Sequence, residues 1–140
     1  MSLKNPTLAA LVESFRGQEL DPHYLAFFDC FNRQLYFEAH EVLEILWLAQ
    51  RREPQGAFYK GLIQLAGAFV HLQKNRLRPA AALFKLAETN LKPYAPSHHR
   101  LAVNAVIAMI DQWLTRLEQG AFQVNPLTAA TVPVLSLAKV

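Results

Sequence analysis

The residues best placed to do chemistry lie in one short run, Glu38-Ala39-His40-Glu41-Val42-Leu43-Glu44. On a helix with His40 at zero, Glu44 falls at about 40°, Glu41 at about 100° and Glu38 at about 160°. The rest of the wheel is apolar, with Val42, Leu43, Ile45 and Trp47. An amphipathic helix with a solvated acidic stripe would read this way. Phe37 and Leu48, however, project from the middle of the stripe, so His40 and Glu44 are expected to be at least partly covered. A covered carboxylate is costly unless it is paired or hydrogen-bonded. The next predicted helix offers Gln64 and His71, seven residues apart and so on one face, with Gly67 and Ala68 between them. Antiparallel packing of the two helices would let His40, Glu44 and Glu41 meet Gln64 and His71.

Three chemistries fit such a cluster. The first is a buried structural network that fixes helix register. It implies that Glu44→Ala costs about 1–3 kcal/mol by leaving a partner unpaired. The second is a divalent metal site, with His40 and Glu44 four residues apart on one helix and His71 completing the shell. His-Glu-x-x-Glu differs from the zinc-protease pattern His-Glu-x-x-His in its last ligand, and it reverses the order of the di-iron Glu-x-x-His motif. In the third, a Glu–His pair acts as general base on a small substrate, whereas in the metal-dependent reading Glu41 is the candidate catalytic base beside the ligands His40 and Glu44. Elsewhere, Cys30 reads as an inert core thiol, His23, His98 and His99 read as exposed at helix starts, and Trp47 and Trp113 read as core or interface anchors. No glycine-rich phosphate loop, Gly-x-Ser-x-Gly elbow or paired-cysteine motif occurs.

The elements that must position these groups are predicted to be six helices. Asn5-Pro6 and Asp21-Pro22 are caps followed by a first-turn proline, and Gly17 closes the first segment. Tyr24, Phe27, Phe28 and Phe31 form the apolar stripe of the second helix, and Asn32-Arg33-Gln34 a turn. The third helix runs from about Tyr36 to Gln50, and the fourth from Pro54 to Lys74 with Asn75 as its stop. Pro79 opens the fifth, ended by Pro93 and Pro96. Ser97 caps the sixth, whose inward face is Val103, Val106, Ile110, Trp113 and Leu117. Short connections imply an all-α antiparallel bundle or short superhelix over residues 1–120. From Ala121 the chain changes character: Val124, Val132, Val134, Thr128 and Thr131 favour extended backbone, and Pro126 and Pro133 forbid a continuous helix. This apolar tail, residues 121–140, is expected to lie across a groove of its own subunit or of a partner, or else to fray.

A chain of 140 residues is large enough for one domain with a real core, burying roughly 70% of its unfolded surface. Apolar residues make up 52% and charged residues 18%, which excludes a disordered chain and points to apolar surface covered by self-association. One cysteine excludes an internal disulfide framework. The net charge of +3 is mild, and the basic groups fall at helix ends without aromatic interleaving, so nucleic acid is not an expected partner. No secretory signal is visible and the uncharged stretch 119–138 contains two prolines, which reads as a cytoplasmic protein without a membrane span.

Phe31-Asn32, then Tyr36-Phe37-Glu38-Ala39-His40-Glu41-Val42-Leu43-Glu44 and Trp47, followed by Gly61-Leu62-Ile63-Gln64-Leu65-Ala66 and His71, resembles the family catalogued as domain of unknown function 309. The resemblance covers roughly Asp21 to Pro93. It implies a small all-helical protein with no established activity, and it maps the family's hallmark positions onto His40, Glu41, Glu44, Trp47, Gly61, Gln64 and His71. A fainter likeness links His71, Ala80, Phe84 and Ala87 to the later positions of a tetratricopeptide hairpin. Only one copy is present, whereas stacking needs about three. The combined reading is a helical binding or oligomerisation module, a homo-oligomer with a possible peptide or protein partner. A metal-dependent, hydrolase-like enzyme is the alternative.

Overall fold

The structure is a computed structural model and describes residues 3–139. Met1, Ser2 and Val140, which fall within the expected limits of helical region and tail, lie outside the described residues. Six α-helices follow in order: α1 (Pro6–Ser14), α2 (Pro22–Asn32), α3 (Tyr36–Gln50), α4 (Gly56–Gln73), α5 (Leu77–Leu91) and α6 (Val103–Gln119). The all-α expectation holds. Two starts are set by the caps read from the sequence. Asn5 accepts the N–H groups of Thr7 and Leu8 at 2.9 and 3.2 Å, and Asp21 accepts that of His23 at 2.8 Å.

Three boundaries differ from the sequence reading. α4 begins at Gly56, not Pro54, and α5 at Leu77, two residues before Pro79. A proline in the first helical turn is tolerated because its missing N–H has no intrahelical acceptor there. Ser97 does not cap α6. It lies just ahead of a tight turn in which His98 and Leu101 exchange backbone hydrogen bonds of 3.0 and 2.9 Å, with His99 and Arg100 at positive φ. This turn allows Leu101 and Val103 to enter the core, where both are buried.

Consecutive helices pack against one another, and the core gathers around α4. Phe69 of α4 stacks on Tyr36 of α3 at 5.1 Å. It also meets Phe31 of α2, Phe84 of α5 and Trp113 of α6 edge-on at 5.5, 5.3 and 5.0 Å. One ring therefore ties four helices to α4. The Ala80–Phe84–Ala87 row of α5 is fully buried, so this stretch does the helix nesting expected of it. The C-terminal tail packs against its own chain. Pro133 and Leu135 are buried, Asn125 donates to the Leu72 carbonyl at 2.6 Å, and Leu101 forms a β-bridge with Leu137. No described helix is long and apolar enough to cross a membrane.

Between α5 and α6, Glu88 carries a cost. Its side chain is 19% exposed, its Oε2 is buried without a hydrogen-bond partner, and the neighbouring Asp111 carboxylate and burial push its pKa up. Lys92, 3.6 Å away, offsets only part of this. A group whose folded pKa is raised gives its stabilisation below the unfolded carboxylate value and loses it as pH rises through the folded one. Glu88→Gln is therefore expected to raise the melting temperature at neutral pH and to change little near pH 4. Melts of both chains across this range check the sign.

Candidate functional site on the α3 groove

His40 and Glu44 form an i,i+4 pair on α3, with Nε2 and Oε2 3.1 Å apart and side chains 33% and 37% exposed. The seam is therefore half-covered, as Phe37 and Leu48 suggested. Its cover is not α4. Leu3 and Lys4, ahead of α1, lie across α3 and close a groove of about 570 Å³ with Phe37, His40, Glu41, Glu44 and Ile45. The Phe37 ring lies 5.8 Å from the His40 ring and remains 54% exposed.

The meeting of this seam with Gln64 and His71 does not occur. α3 and α4 do run antiparallel, and their register is read from Tyr36 against Phe69, Trp47 under the Lys60 ammonium at 4.4 Å, and Gln73 donating to the Gln34 carbonyl at 3.1 Å. That register sets His71 opposite the start of α3, more than a turn from His40. Gln64 faces the other way, its Oε1 accepting from Asn90 Nδ2 of α5 at 2.7 Å. Gly61 also serves α5: a Cβ there would stand 2.8 Å from Leu91 and 3.2 Å from Asn90. His71 ends α4 with its Nδ1 buried and unpartnered. Its pKa is lowered by burial, and then by Arg76 and Lys74. Of the seven singled-out positions, only His40, Glu41 and Glu44 share a groove.

This arrangement limits the chemistry. Among the described residues, no three His, Cys, Asp or Glu side chains converge as a metal site, and His71 cannot join His40 and Glu44 in this register. The pair itself is a partly exposed ion pair, worth a few tenths of a kcal/mol when the imidazole is charged. Glu44→Ala is accordingly expected to shift stability by less than about 0.5 kcal/mol, not by the larger loss a buried network implies. Urea denaturation of the two chains side by side is the check.

The remaining titratable groups singled out in the sequence lie away from the groove. Cys30 is buried and its pKa is pushed up to about 11, chiefly by burial, as befits an inert thiol. His23 is largely covered and sits 3.0 Å from Asp21. His98 and His99 are not at a solvated helix start: His98 packs on Phe58 at 4.6 Å and Tyr94 at 4.8 Å, and His99 stacks on Tyr59. Burial lowers the pKa of both. Asn32, inside the quoted motif, holds the tail: its Nδ2 donates to the Leu135 carbonyl and its Oδ1 accepts the Leu135 N–H, each at 2.8 Å. The combination of a lone polar motif residue and an apolar tail was the available signal for it.

Fold and groove together define a small all-helical protein built around a central α4, with a half-open polar seam on α3. Residues 24–92, which span most of α2 through the end of α5, match the family model described as Domain of unknown function (DUF309). No curated protein and no solved structure gives a significant match.

Proposed function

We propose that the protein works by binding, as a self-associating module whose α3 groove takes a basic, apolar peptide segment from a partner. The observation that carries this is the lining of the groove. The carboxylates of Glu41 and Glu44 stand beside the exposed Phe37 ring and Ile45, across from the single ammonium of Lys4. A volume of about 570 Å³ suits a few side chains. A lysine or arginine of the ligand would pair with the carboxylates, while its apolar neighbour covers Phe37. The cytoplasmic setting belongs to the same reading and fits a chain with one cysteine.

The test is fluorescence anisotropy with a labelled peptide of alternating lysine and leucine. Binding should weaken about tenfold or more in the Glu41→Gln, Glu44→Gln double variant, and it should weaken with salt. Equal binding by wild type and the double variant, or none by wild type, overturns the groove assignment. Light scattering of wild type tests self-association separately: a clean monomer at high micromolar concentration removes that part.

A further inference from the structure

The contact between Asn32 and the tail has the form of peptide recognition. A single amide side chain holds both backbone groups of Leu135, each at 2.8 Å. Such a pair reads an extended backbone whatever its side chains, while the buried Leu135 side chain supplies an apolar anchor. Two residues further on, Leu137 pairs with Leu101 as a β-bridge, and the Ala138 N–H donates to the Arg100 carbonyl at 2.8 Å. The seat is thus built from α2 and the turn before α6, and the segment on it behaves as a tethered ligand.

The tether can reach outward. Asn125 fixes one end of the tail at the close of α4. Between that anchor and the seat, residues 126–132 fold back in a loop closed by Thr131, whose hydroxyl donates to the Pro126 carbonyl at 2.7 Å and accepts the Thr128 N–H at 2.8 Å. Opened to an extended chain, these residues span about 20 Å. Every seat contact made within one chain can then be made identically to another, as in exchange of an element between protomers. Val124 and Val134, 64% and 65% exposed on the single chain, are apolar surface that pairing could cover.

We propose that the Asn32 seat takes the C-terminal tail of a second copy, so that reciprocal tail exchange pairs two chains. This rests on the self-association reading and gives it a site. The tether favours the closed form in dilute solution, so pairing should rise with concentration.

Two full-length variants test it by complementation. Leu135→Asp expels its own tail but keeps the seat, and Asn32→Ala keeps its tail but loses the reader of its backbone. Each alone should scatter as a 15.8 kDa monomer, and a mixture should form one-to-one pairs of twice that mass. In a second arm, a fluorescein-labelled peptide of residues 131–139 should bind the Leu135→Asp chain and lose about tenfold or more in affinity when Asn32→Ala is added. With helical content confirmed by circular dichroism, a mixture that stays monomeric overturns the exchange. If Asn32→Ala fails to fold, the peptide arm decides alone, and no binding to the Leu135→Asp chain overturns the seat. Wild-type pairing that persists in Asn32→Ala overturns this inference while leaving self-association intact.

Discussion

Phe69→Ala is expected to cost about 4 kcal/mol, the middle of the range for emptying a buried aromatic site. The ring is fully buried and packs on Tyr36, Phe31, Phe84 and Trp113, which belong to four different helices. Removing it loses the transfer free energy of the ring and leaves a void that these neighbours cannot close together, because each is held by its own helix. Edge-on and stacked pairs add about 0.5–1.5 kcal/mol apiece beyond area burial, although such terms overlap in one cluster. At about 3 °C per kcal/mol for a chain of this size, the melting temperature should fall by about 12 °C. Phe69→Leu, which keeps most of the volume, should recover about half. A drop of only a few degrees for alanine would mean that the four helices are joined elsewhere.

Gly61→Val should cost about 3 kcal/mol, at the top of the range for overpacking. A Cβ on residue 61 would stand 2.8 and 3.0 Å from Leu91 carbons and 3.2 Å from Asn90 Cβ, and Leu91 is fully buried with nowhere to retreat. Forcing α4 from α5 here also strains the Gln64–Asn90 hydrogen bond one turn away. Gly67 on the same helix is the contrast. A Cβ there meets only Leu83 at 3.1 Å, and Leu83 is half-exposed and free to move. Gly67→Ala should be neutral or stabilise by up to about 1 kcal/mol through helix propensity. Thermal melts of the two variants should therefore move in opposite directions or leave Gly67→Ala unmoved. Equal losses would show that both glycines are needed for close approach.

The contrast bears on how a family motif should be read. Gly61 and Gln64 look like part of a polar site when lined up with His40 and Glu44, and in space they hold α5. Glu41 and Glu44, grouped with a metal-like histidine by spacing alone, border a groove whose other wall comes from residues ahead of α1. Spacing along one helix fixes which side chains share a face, but it carries no information about what faces them.

The number and order of helices, the caps at Asn5 and Asp21 and the apolar faces of α2, α5 and α6 were all determined by the sequence itself. Capping, proline geometry and 3.6-residue periodicity act within a turn or two, so neighbouring residues suffice to set them. The register of α3 on α4, the partial burial of His98 and His99 and the course of the tail were decided only by tertiary packing. Each depends on partners far away in sequence: Tyr36 with Phe69, His98 with Phe58, Asn32 with Leu135. Which face of a helix is polar is a local property, whereas what that face meets follows from filling one shared core without voids.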